Sequence, residues 1–166
     1  TKDSCNFMFE MLSTLLSTYK YENGDYTLNC EKCNIISLAE ESINELESML
    51  KEKNATIHIH TEGSQFNTEC DRMQIKRVLT NILGNAISYA YDNTQIDVTV
   101  KQDENGISFE AKNERAYINP ETMNNLFKKY VSHAAKFNKV GVGLGLYLSK
   151  QIINAHNGDM NLAGKI

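Results

Sequence analysis

Met8, Met11, Leu12, Leu15, Leu16 and Tyr19 recur at helical intervals, which predicts one amphipathic helix over residues 1 to about 21. The run "ENGD" at 22–25 breaks it. "YTLNC" at 26–30 reads as a short strand. Ser37 followed by Glu40 forms a capping box and predicts a second helix carried by Leu38, Ile43, Leu46, Met49 and Leu50. The period then changes. In "ATIHIHT" (55–61) Ile57 and Ile59 alternate with polar residues, as in a half-buried strand. Asp71, with Gln74 three residues on, is a cap for a helix running to about Ala90. "QIDVTVK" and "GISFEAK" alternate on either side of "DENG" and predict a hairpin. Asn119-Pro120 places Pro in the first turn of a helix whose apolar side is Met123, Leu126, Phe127 and Tyr130. Residues 131–140 show little periodicity and read as a mobile loop. Gly141 to Gly145 lead into a last helix, which "HNG" at 156–158 ends with a glycine stop, and "GDMNLAGKI" starts as a strand. The order predicts an α+β fold, a two-layer α/β sandwich whose mixed, mostly antiparallel sheet is covered by helices on one face.

Composition narrows the function classes. The 166 residues suffice for one buried core, and 41% hydrophobic with 23% charged residues is globular. A net charge of −4 argues against nucleic acid as the main partner. No apolar run approaches the roughly 18 residues that span a bilayer. The first residue is Thr, which suggests a fragment that an upstream membrane anchor would precede. Of Cys5, Cys30, Cys33 and Cys70, only "CEKC" has a short spacing, and no second pair completes a zinc set. Ordinary reduced thiols fit better, and with them a cytoplasmic setting. His58 and His60 share the polar face of their strand and read as solvated rather than metal-bound.

One helix carries a chemical oddity. Around residues 71–90, Ile75, Val78, Leu79, Ile82, Ala86 and Ala90 form an apolar stripe. Asn85 lies at its edge, with Asn81 and Ser88 on the same flank. Half-buried carboxamides need partners. An Asn offers a neutral oxygen to a hard cation and an NH₂ to a phosphate oxygen, so two of them a turn apart suit a magnesium–phosphate ledge. Taken alone, the pair fits bonding to a neighbouring loop's backbone better than that ledge.

Gly141, Gly143 and Gly145 alternate immediately before a helix, where backbone N–H groups can approach phosphates without Cβ interference. Leu144 and Leu146 between them can anchor the loop. The spacing is neither the dinucleotide fingerprint nor the P-loop, and no Lys-Ser/Thr pair follows.

In combination these stretches are more specific. "DRMQIKRVLTNILGNAISYA" followed by "GVGLGLYLSKQIINAHNG" resembles the N box and G2 box of sensor histidine kinases, in their C-terminal ATP-binding domain. "NPETMNNLFKKY" is similar to the F-box region, and "YKYENGDYTLN" to the junction with the second dimerisation helix. The resemblance covers roughly residues 5 to 162 and implies a Bergerat-type fold. It divides the chain into a dimerisation-helix tail and junction (1–24) and a catalytic ATP-binding domain (25–166).

The resemblance implies roles at matching positions. Asn85 would coordinate Mg²⁺ across the ATP phosphates, with Asn81 as its catalytic partner one turn earlier. Tyr89 would lie near the ribose and phosphates. Gly141, Gly143, Leu144, Gly145 and Leu146 would form the phosphate-facing end of an ATP lid, with Lys136 and Lys139 as its cations. Phe127 matches the F-box aromatic, and Asn113 and Ile118 fall at the base-binding segment. Asn81 also fits phosphotransfer better than hydrolysis. Related hydrolases carry a Glu there to activate water, which a neutral imidazole acceptor does not require.

Departures accompany the matches. The G1 box, normally Asp-x-Gly-x-Gly, reads "NERAYI", so Asn113 replaces the adenine-binding Asp and Arg115 and Tyr117 replace glycines. Ser88 stands where Lys is common in the N box, and Ser132 where the F box often has Arg. His58, His60, His133 and His156 all lie off the first helix, so the phosphoacceptor histidine would lie outside this fragment. The function expected is transfer of the ATP γ-phosphoryl to that histidine, for relay to a response regulator, by a protein that is homodimeric and anchored in a bacterial plasma membrane. The alternative is a degenerate scaffold that signals through protein contacts without productive ATP use. A hydrolytic, chaperone-like member is a third reading.

Overall fold

The computed structural model describes residues 1–114, 121, 125, 127–128 and 144–162. These fall into two compact units. One comprises Thr1–Thr27 with the described part of Ile118–Ile166, the other Leu28–Tyr117.

In the larger unit, β1 (Cys30–Asn34) runs directly into α2 (Ile35–Glu45), and α3 (Glu47–Lys53) follows. β2 (Thr56–Glu62) and β3 (Asn67–Asp71) precede α4 (Arg72–Tyr89), and β4 (Gln95–Asp103) and β5 (Gly106–Asn113) close the unit. β1 and β3 form an antiparallel two-stranded ribbon. β2, β4 and β5 form a second, mixed sheet, with β2 parallel to β4 and β4 antiparallel to β5. The α+β class, the mixed sheet and the hairpin agree with the sequence reading.

Alternation decides which face of the β2–β4–β5 sheet is covered. Ile96, Val98 and Val100 of β4 are fully buried. Ile57, Leu46, Met49, Leu50 and Ala86 pack against the cluster of Ile87, Ala90 and Ile96, bringing α3 and α4 onto that face. His58 and His60 point the other way and are exposed. His60 Nε2 lies 3.3 Å from Asp97 Oδ1.

Several boundaries differ from the sequence reading. The first strand is "CEKCN", beginning where "YTLNC" ends, because these are the residues that pair with β3; Cys33 lies opposite Thr68 and its buried thiol is 3.8 Å from Cys70 O. Ser37 is not a cap. Asn34 is, accepting from Ser37 N–H at 3.1 Å, and the helix begins three residues earlier. That helix also breaks at Leu46, where φ −97 and ψ 8 leave the helical range before α3 resumes. β3 was not read from the sequence at all.

In the smaller unit, α1 (Lys2–Glu22) ends at Asn23, with Gly24 in the left-handed region at φ +69. The last described helix, α5 (Gly145–Ala155), packs against α1. Phe7, Met11, Thr14, Thr18 and Tyr21 make the covered side of α1, while Met8, Leu12, Leu16 and Tyr19 are exposed. Ser17 and Thr18 donate their hydroxyls to the carbonyls of Ser13 and Thr14, both at 2.8 Å. After α5 the left-handed residue is Asn157 (φ +59), not the expected glycine. Gly158 is needed for another reason: a Cβ there would stand 2.9 Å from Ile153 Cγ2. Residues 158–162 carry no strand, and the rest of that expected strand lies outside the described residues. The helix expected from Asn119-Pro120 and the loop at 131–140 also fall almost wholly outside them.

Candidate nucleotide site

α4 starts as its sequence predicts. Asp71 Oδ1 accepts from Gln74 N–H at 3.1 Å, filling one orphan donor of the first turn. Its Oδ2 accepts from Asn29 N–H at 3.0 Å, so the same carboxylate ties the helix start to the chain entering β1. Ile75, Val78, Leu79, Leu83 and Ile87 are the buried stripe. Asn81 and Asn85 lie half-buried on its flank, one turn and about 6 Å apart along the axis.

Their environments differ. Asn81 makes polar interactions. The Asn85 carboxamide has no hydrogen-bond partner among the described residues. Ser88 turns its hydroxyl back to Gly84 O at 2.7 Å and makes further interactions besides. Tyr89 is half-buried, and burial pushes its phenol above the usual range.

The end of α4 meets the end of β5. Asn113 Nδ2 donates to Ala86 O at 2.7 Å, so the amide nitrogen has found a partner and Oδ1 remains as an acceptor. Lys53 Nζ donates to Ala90 O at 3.0 Å, stapling α3 to the terminus of α4.

In the other unit, Leu144 precedes α5, is 1% exposed and anchors the helix start. Among the described residues no side chain caps that end, and the orphan N–H groups of a first turn, here those beside Gly145 and Leu146, suit an anion. Tyr147 OH donates to Glu22 Oε1 at 2.8 Å. Phe127 is half-buried, with Lys150 Nζ 5.1 Å from its ring centroid.

Asn81, Asn85, Tyr89 and Asn113 are thus gathered on one unit, and Phe127, Leu144, Gly145 and Leu146 on the other. Ile118, Lys136, Lys139, Gly141 and Gly143, with Arg115, Tyr117 and Ser132, lie outside the described residues. Sequence reasoning did not find the Ala86 carbonyl or Lys53, because pairs 27 and 37 residues apart leave no local pattern.

Residues 70–165 match the family described as Histidine kinase-, DNA gyrase B-, and HSP90-like ATPase. The chain belongs to this family. Its relatives include the sensor histidine kinase YvrG of Bacillus subtilis, 24% identical over 162 residues, covering 97% of this chain and 28% of that protein. The probable sensor protein PcoS of Escherichia coli is 30% identical over 157 residues, covering 91% of this chain and 32% of that protein. The chain therefore spans about a third or less of these relatives. Among solved structures, full-length ShkA in complex with AMPPNP superposes with a TM-score of 0.84 at 17% identity, covering 99% of this chain and 34% of that one. The histidine kinase ThkA in complex with the response regulator TrrA superposes at 0.66 and 23% identity, covering 95% of this chain and 45% of that one. The α+β fold is that of histidine kinase catalytic domains, and the ATPase family assigns the chain an ATP-binding domain. No described helix is long and apolar enough to cross a membrane.

Proposed function

We propose that this chain is the part of a sensor histidine kinase that binds Mg·ATP and passes its γ-phosphoryl to a histidine on a helix outside these residues. A response regulator would then receive the phosphoryl group. The observation that carries the reading is the half-buried Asn85 carboxamide, which has no partner among the described residues. A polar group so placed fits a ligand. Its oxygen suits a hard cation, and its NH₂ suits a phosphate oxygen.

Asn85 would hold Mg²⁺ against the phosphates, and Asn81 would orient the reacting end. When bound, the metal neutralises charge on the phosphoryl oxygens. Neutral Asn81 leaves water unactivated, whereas an imidazole nitrogen attacks with its own lone pair. Tyr89 would border the ribose, and Asn113 and Ile118 the base. Gly141, Gly143, Leu144, Gly145 and Leu146 would contribute phosphate contacts, Lys136 and Lys139 positive charge for them, and Phe127 the F-box aromatic.

Residues 1–24 would be the tail of the dimerisation helix. The exposed stripe of Met8, Leu12, Leu16 and Tyr19 supports a second copy as its cover, and the whole protein would be a homodimer anchored in a bacterial plasma membrane. Calorimetric titration with a non-hydrolysable ATP analogue, with and without Mg²⁺, tests the site. Magnesium-dependent binding that Asn85→Ala abolishes is expected. No binding by the folded protein at millimolar nucleotide would reject the reading.

A further inference from the structure

Resting on the nucleotide-site reading, we propose that Asn113 is an orientation-locked base reader. Ala86 O holds its amide nitrogen, so it offers a purine only an acceptor oxygen, and an aspartate cannot do the same work here.

The lock has two parts. Asn113 is the last residue of β5, paired in the sheet with Ile96, whose side chain is fully buried, so its backbone is fixed. Its Nδ2 lies 2.7 Å from Ala86 O, and a carbonyl only accepts. Rotating the carboxamide by half a turn would bring Oδ1 against that oxygen, two acceptors with no proton between them. The other side of Ala86 O is already engaged by Ala90 N–H at 3.1 Å. Oδ1 has no partner among the described residues and is the atom left to meet a ligand.

The chemistry that Oδ1 recognises is an N–H donor on the base edge. A 6-amino purine supplies one. A 6-oxo purine presents an acceptor to an acceptor, and a purine with no 6-substituent supplies nothing. The carboxylate usual in the family would here set one oxygen against Ala86 O. It would have to rotate away and carry its acceptor out of place. Asn113 is then a residue matched to its neighbour, not the remnant of a lost site.

Calorimetric titration of the 166-residue chain with Mg²⁺ and three triphosphates tests this: a non-hydrolysable adenosine analogue and its 6-deamino and 6-oxo counterparts. The adenosine form is expected to bind about 2- to 10-fold tighter than the other two, the worth of one hydrogen bond. Asn113→Ala should bind all three alike. Asn113→Asp should bind the adenosine form more weakly than the unaltered chain and melt at a lower temperature without nucleotide. Tighter binding by Asn113→Asp, or an unchanged melting temperature, would overturn the lock. Equal binding of the three nucleotides by the unaltered chain would overturn the reader while leaving the nucleotide site standing. Binding of none would overturn both.

Discussion

Lys53 caps a helix that is not its own: from the last residue of α3 its Nζ donates to Ala90 O, the carbonyl just past α4, at 3.0 Å. Asp92 Oδ1 lies 3.5 Å from the same nitrogen, and the lysine side chain is only 25% exposed. A cation on terminal carbonyls also meets the negative end of the helix dipole. Lys53→Met keeps the stem and removes the charge. It is expected to cost about 1 to 2 kcal/mol, read as a lower denaturation midpoint, with faster amide exchange confined to the last turn of α4. Protection unchanged there would show that Lys53 contributes no cap.

Gly63 permits the turn between β2 and β3. Its φ is +120, and a Cβ there would stand 2.9 Å from Gln102 Cβ. Gln102 Oε1 meanwhile accepts from Ser64 and Gln65 N–H, both at 3.3 Å, so it cannot swing aside freely. Gly63→Ala should destabilise by about 1 to 3 kcal/mol. Equilibrium urea unfolding checks this, and a midpoint unchanged from the original would remove the argument.

Asn85→Ala should leave stability within about 0.5 kcal/mol of the original, since the carboxamide makes no hydrogen bond to a described residue. Nucleotide binding is expected to fall at least tenfold. Thermal unfolding and titration on one sample separate the two effects. A large drop in melting temperature would show that Asn85 is structural.

The four cysteines divide into two classes. Cys5 and Cys30 are exposed, while Cys33 and Cys70 are buried. Burial, with Cys33 beside it, pushes the Cys70 thiol up to about 12 from an ordinary 9.0. Because the folded value lies above the unfolded one, this contribution is whole below about pH 9 and is lost as pH rises from there toward 12. Alkylation of the folded chain at pH 8 should label two thiols quickly and spare Cys33 and Cys70. Stability should fall with rising pH above 9, less steeply in Cys70→Ala. Rapid labelling of all four would contradict the packing.

What the sequence made legible was local. Asp71 and Gln74 announce α4 because a cap is a three-residue event, and the β4–β5 hairpin follows from alternation around a tight turn. Asn81 and Asn85 stood out because carboxamides interrupt an apolar stripe, and their placement on one flank of α4 agrees with that reading. β3 stayed hidden because "NTECD" is polar at its first three positions and buries only Cys70 and Asp71. β1 was misplaced for the same reason, its position being set by pairing across the ribbon rather than by its own residues. The break at Leu46 was invisible because Leu46 and Met49 still satisfy helical spacing across it. Asn113 could be recognised as a departure from its family, but its partner at Ala86 could be found only in three dimensions.

β3 ends and α4 is capped on one residue, Asp71, with no linker between them. The ribbon therefore works as an indexing collar for the helix. Adding or deleting one residue between Asn67 and Asp71 would either unseat the β1 pairing or turn α4 by about 100°, carrying Asn81 and Asn85 off their flank together. Length is free to drift in the Asp103–Gly106 turn, whose ends need only meet, but not in these five residues.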